Sequence, residues 1–193
     1  MTINPIKLNG PWDEGYALDI HTTTKRYMED NVYGYPIVET EYTDLGKLLH
    51  YLKYRNDISK LDDIIKHAEP FIKSWDAIKQ IDLVIPAPPS KHKDFQAALE
   101  IAKAIAELIN VSYSDEILQQ DSIDESANES SNENKQISRT IYKGLVKKKE
   151  CNILLVDDFY DSGSTLTECV RILRQDSNIK KIYVLTITKM RHS

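Results

Sequence analysis

Residues 151–173 read CNILLVDDFYDSGSTLTECVRIL: an apolar run, two adjacent carboxylates, an aromatic pair, and a small loop with a glycine and three hydroxyls. Such a loop can wrap a phosphate. Its backbone N–H groups and the hydroxyls of Ser162, Ser164 and Thr165 are donors, and Gly163 permits close approach or a positive φ. The helix predicted to follow adds the positive end of its dipole. Asp157 and Asp158 stand just before the loop, without the lysine of a triphosphate-binding Walker loop. Carboxylates beside a phosphate cradle suit hydrogen bonds from sugar hydroxyls. Together these residues describe a ribose 5-phosphate site, with Asp157 and Asp158 on the hydroxyls and Asp161, Ser162, Gly163, Ser164 and Thr165 around the phosphate.

The elements that must position this site follow from periodicity. Short apolar runs at 81–85 (IDLVI), 153–156 (ILLV) and 182–187 (IYVLTI) predict buried parallel strands. Phe95, Ala98, Leu99, Ala102, Ala106 and Ile109 recur at helical spacing, with Asn110 as a stop, and Leu166, Val170 and Leu173 do the same after the second strand. Upstream, Leu45, Leu48, Leu49 and Leu52 predict a helix capped by Thr43 or Asp44, and a second helix covers 58–71. The pattern is α/β, a parallel sheet flanked by helices, and a loop at the carboxyl end of such a strand is where these sheets bind ligands. GYALDIHT and VYGYPIVETEY alternate instead. They predict a small β appendage, or hood, over 1–42, with the core at 43–193. The stretch 121–134, DSIDESANESSNEN, is nearly devoid of apolar residues and predicts a flexible acidic loop over 119–138.

Composition narrows the class. The chain has 193 residues, 41% hydrophobic and 28% charged, with no run near the ~20 apolar residues of a membrane span. The start MTINPIKLNG lacks the build of a secretory signal, and Cys151 and Cys169 fall in a predicted strand and helix, so a reducing cytoplasm is the expected location. The histidines lack metal-ligand spacings, and no directly held metal is expected. Five acids fall in the 121–134 stretch. They account for the net charge of −5, leaving the rest of the chain balanced. A broad nucleic-acid surface is not indicated.

VDDFYDSGST closely resembles the phosphoribosyl diphosphate (PRPP) motif of type I phosphoribosyltransferases, with Phe159 and Tyr160 where aliphatic residues are usual. GYALDIHT, DLGKLLHYLKYRND, IDLVIPAPPS and KHKDFQAALEIAKAIAE resemble the ComF-like branch of that family, without its N-terminal four-cysteine zinc finger and with Lys93 and Asp94 where that branch carries Arg-Gly. The resemblance implies a Rossmann-like fold and a transferase of the pentosyl class, acting on PRPP with Mg2+ carried by the substrate. It implies that Asp157 and Asp158 hold the ribose, that Ala87, Pro88, Pro89, Ser90 and Lys91 form the pyrophosphate loop, and that Lys135 and Arg139 cap the pyrophosphate from the flexible loop. From residue type alone, residues 87–91 read first as a rigid connector, and the acidic stretch reads equally as a solvated linker.

For the acceptor, Asp161 resembles the aspartate that purine-salvage members use toward the base, and Lys189 resembles their lysine for an exocyclic oxygen. An Asx-turn and a strand-end cation are the plainer readings of the two. Trp12, Tyr16, Tyr33 and Tyr35 are candidate stacking partners for a base, or core residues. Three classes stay open: a phosphoribosyltransferase acting on a nucleobase or other amine, a PRPP- or nucleotide-sensing regulator, and an accessory subunit of a protein or nucleic-acid complex. A homodimer is compatible with each.

Overall fold

The structure is a computed structural model that describes residues 3–30, 33–89, 95–121, 139–144 and 146–191. Its frame is a six-stranded sheet built from β1 (Ile6–Lys7), β2 (Glu14–Ile20), β5 (Leu83–Pro86), β6 (Ser112–Tyr113), β9 (Cys151–Tyr160) and β10 (Ile179–Lys189), in the order β1-β2-β10-β9-β5-β6. All neighbours pair parallel except β1 and β2. Two further hairpins, β3 (Thr22–Asp30) with β4 (Pro36–Tyr42) and β7 (Leu118–Asp121) with β8 (Arg139–Tyr142), stand apart from it.

Helices cover both faces. On one, α1 (Asp44–Arg55), α2 (Ser59–Ser74) and α3 (Ala97–Ile109) bury Leu45, Leu49, Leu52, Ile64, Ile72, Ile101 and Ile105 against Leu154, Val156, Leu185 and Ile187. On the other, α4 (Ser164–Leu173) packs Leu166, Cys169 and Val170 on Ile153, Leu155 and Val184, with the β7–β8 hairpin beside it. The strands at the centre are apolar on both faces, which is why they read as continuous runs. Among the described residues no helix is long and apolar enough to cross a membrane.

Three expectations need correction. The region 1–42 is not one appendage, because β1 and β2 belong to the central sheet. Ala17 and Leu18 are fully buried on its opposite faces, and β10 pairs along β2 from Glu14 to Ile20. Only β3–β4 is separate. Residues 119–121 are strand rather than loop, since the polar stretch Leu118–Asp121 pairs with Arg139–Tyr142; residues 122–138 lie outside the described residues. Lastly, the strand expected at 153–156 continues to Tyr160, because β10 pairs with it as far as Lys189, so the two aspartates lie within the strand.

Local signals explain where α1 and α3 begin and end. Thr43 caps α1: its oxygen accepts from the Gly46 N–H (3.0 Å) while its hydroxyl donates to the Ile20 carbonyl (2.7 Å). Gly46 is needed at that junction, since a Cβ there would come within 2.0 Å of the His21 carbonyl oxygen. This latch fixes α1 to the carboxyl end of β2. Asn110 ends α3 in the left-handed conformation, φ 54°.

Candidate functional site

The 161–165 loop takes its shape from Tyr160 and Gly163. Gly163 has φ 77°, and a Cβ there would come within 2.5 Å of the Tyr160 hydroxyl, so both conformation and space demand glycine. Gly163 also caps α4 without a side-chain acceptor, leaving first-turn N–H groups for an anion or solvent. Ser162 donates to the Ser164 hydroxyl at 3.1 Å. Asp161, Ser162, Gly163, Ser164 and Thr165 line a cavity of about 200 Å³ whose inner wall is Asp157 and Leu166.

The two carboxylates continue opposite faces of β9. Asp158 follows Leu154 and Val156 toward α1, where Lys53 donates to Oδ1 and also lies 2.8 Å from Oδ2. Asp157 follows Ile153 and Leu155 toward α4 and accepts the Asp158 N–H at 2.8 Å. Burial first, and the Asp158 charge second, push the Asp157 carboxyl up to about 7, against the opposing pull of backbone N–H groups and Lys53. Beneath it the Cys169 thiol is pushed up to about 12, by burial and then by the Asp157 charge. Thr186, opposite Asp157 on β10, buries a hydroxyl oxygen that finds no hydrogen-bond partner among the described residues.

In front of the acids lies a cleft of about 350 Å³, walled by Lys53, residues 87–89, residues 95–98 and Thr165. The Ala87 N–H donates to the Val156 carbonyl (2.7 Å), so this turn extends the β5–β9 pairing up to the acids. Ala87, Pro88 and Pro89 therefore share one cleft with Asp157 and Asp158. Ser90, Lys91 and Lys135 lie outside the described residues, and Arg139 is the first residue of β8.

Across the β9–β10 edge is a second cavity, of about 270 Å³, lined by His21, Thr22, Thr40, Tyr42, His50, Tyr54 and Met190. The Phe159 ring joins it to the cleft: its centroid is 5.0 Å from that of His21, whose Nδ1 lies 2.9 Å from the Thr188 hydroxyl. The aromatic residues expected to face a base are elsewhere. Trp12 is buried and donates to the Leu8 carbonyl (3.0 Å), and Tyr16 packs edge-on against Phe71 and Trp75. Tyr33 and Tyr35 are exposed at the far end of β3–β4. Asp161 is exposed in the 161–165 loop, and the Lys189 ammonium lies 5.9 Å from the centre of the Tyr160 ring.

Neither a protein-family description nor a curated protein matches the chain. Solved structures do show similarity. APRTase from Giardia lamblia, complexed with 9-deazaadenine, is 14% identical over 88% of this chain and 94% of its own, with a TM-score of 0.49. Adenine phosphoribosyltransferase from Thermoanaerobacter pseudethanolicus is 11% identical over 86% and 95%, TM-score 0.46. A hypothetical protein from Neisseria gonorrhoeae with bound ppGpp is 14% identical over 70% of each chain, TM-score 0.49.

Sequence reasoning missed Lys53, His21, Tyr42, His50 and Tyr54. The signal for Lys53 was weak but present: it follows Leu52, on the edge of the apolar stripe of α1, where a long side chain can lay its stem on the core and reach past it. The aromatic cavity combines β2, β4, α1 and β10, and no local pattern joins them. Among the described residues no group of three His, Cys, Asp or Glu side chains could hold a metal ion.

Proposed function

We propose that the protein binds PRPP as its magnesium complex and transfers the ribosyl 5-phosphate to a nitrogen nucleophile, releasing pyrophosphate. One observation carries this reading: the acid pair lies between the glycine-shaped 161–165 loop on one side and the 87–89 turn on the other, beside two cavities whose linings share Asp157, Phe159 and Thr165. That order matches the order of groups along PRPP. In this reading the N–H groups and hydroxyls of 161–165 hold the 5-phosphate, Asp157 and Asp158 accept from the ribose hydroxyls, and the diphosphate lies along 87–91.

The chemistry follows from charge. As the anomeric carbon loses pyrophosphate it gains oxocarbenium character, and a carboxylate fixed beneath the ribose stabilises that charge more than it does the ground state. The magnesium that arrives with the substrate offsets charge on the departing pyrophosphate. The acceptor enters from the β10 side. There the cavity lined by His21, Tyr42, His50 and Tyr54 favours a planar, purine-like heterocycle by stacking. Asp161 in the loop and Lys189 beside the Tyr160 ring are further candidates for contacts to the base, and Lys135 and Arg139 for cations closing over the diphosphate.

Calorimetric titration with PRPP and magnesium, followed by pyrophosphate release with a panel of heterocyclic bases and amines, tests the proposal. Saturable binding and release dependent on one acceptor are expected. Binding without release from any acceptor would make the protein a PRPP sensor, and no binding would overturn the proposal.

A further inference from the structure

The acid pair has asymmetric surroundings that the ribose-binding role alone does not account for. Lys53 reaches from α1 across the cleft floor and lies 2.8 Å from each oxygen of Asp158, with about a third of its side chain exposed to the cleft. A single ammonium thus meets both oxygens and anchors the carboxylate to α1 by charge. Asp158 is itself almost fully buried, where a carboxylate needs a partner. On the other face Asp157 meets the Cys169 thiol and the Thr186 hydroxyl, and no cation stands there among the described residues.

We propose that Lys53 is a positioning residue of the ribose site, which holds the Asp158 side chain in place and presents its remaining lone pairs to the ribose hydroxyls. The inference rests on the PRPP reading and extends it to an element 105 residues away in the chain. Lys53 has three donor hydrogens and the carboxylate has acceptor capacity beyond one cation, so the pair can persist when a hydroxyl binds. Two bare carboxylates would instead repel both each other and an incoming phosphate ester. Lys53 lowers that barrier before the ligand arrives.

The probe is ribose 5-phosphate, titrated calorimetrically into the full chain alongside PRPP with magnesium. Lys53→Met should weaken both ligands about tenfold or more, and Lys53→Arg should return affinity to within about threefold of wild type. In an Asp158→Asn background Lys53→Met should cause no further loss, because the partner is already gone. A residue that merely supports the fold would not move the pH profile, whereas Lys53 should. The groups facing the acids are Lys53 on α1 and Cys169 on α4; β10 offers Thr186 and the start of α3 offers Gln96, Ala97 and Ala98. Lys53 is among the groups that hold the Asp157 carboxyl down, so Lys53→Met moves the midpoint for ribose 5-phosphate binding to higher pH, and Lys53→Arg leaves it in place. Should Lys53→Met bind as wild type does with an unmoved midpoint, the positioning role is overturned while the PRPP reading stands. Should wild type bind neither ligand, it is the PRPP reading that fails.

Discussion

On the α1 side of β9, Asp158 meets a lysine that reaches both of its oxygens; on the α4 side, Asp157 meets a thiol, a hydroxyl and burial. The two are adjacent in the chain, and strand geometry alone sends them to opposite faces. The difference teaches that an acid pair need not be a pair of equivalents. Asp158 is held against a cation, whereas burial and the neighbouring charge push the Asp157 carboxyl up.

The sharpest way to break the comparison is to remove the Asp158 side alone. Gly46→Ala drives a methyl into the His21 carbonyl, so α1 must shift, carrying Lys53 off Asp158. A loss of about 3 kcal/mol in denaturant unfolding is expected, with weakened ribose 5-phosphate binding. Asp158→Asn leaves Lys53 without its partner and should cost about 2 kcal/mol, measured in the same way.

Asp157→Asn has the opposite sign. The folded carboxyl titrates at about 7 and the unfolded one at about 4, so the native state binds the proton more tightly. Its stabilising effect is present below the unfolded value and is lost as pH rises through the folded one. Asparagine does not titrate. The melting temperature of Asp157→Asn relative to wild type, without ligand, should therefore climb between pH 4 and pH 8 by roughly 5 °C. A flat difference would show that Asp157 ionises as an ordinary carboxylate. The smallest effect is expected at Lys189, whose ammonium rests near the Tyr160 ring: Lys189→Met should leave ribose 5-phosphate affinity within about threefold.

The same division governs what the sequence made legible. The strand, the acid pair, the Ser/Gly/Thr loop and α4 are contiguous, so apolar run, hydroxyls and glycine could be read together, and Gly163 does adopt the positive φ that such a loop needs. Thr43 and Asn110 were legible for the same reason, being local caps. Lys53 was not, because its meaning depends on a contact between α1 and β9 that only the folded chain creates. The strand Glu14–Ile20 was misjudged because its tyrosine and acid give it the alternation of a hairpin, while its pairing with β10 is decided by residues 169 positions away. Leu118–Asp121 (LQQD) carries no β signal of its own, and Arg139–Tyr142 (RTIY) carries one only four residues long. Their pairing is cross-strand, and the Thr140 N–H donates to Glu168 on α4 (3.4 Å).

The central claim, that the acid pair and phosphate loop hold the ribosyl 5-phosphate end of PRPP, is tested most directly by comparing magnesium-PRPP binding in wild type and in the Asp157→Asn, Asp158→Asn double variant. The account predicts saturable binding to wild type and a loss of about a hundredfold or more in the variant, with its ligand-free fold intact by circular dichroism. Equal affinity in the two proteins would contradict it.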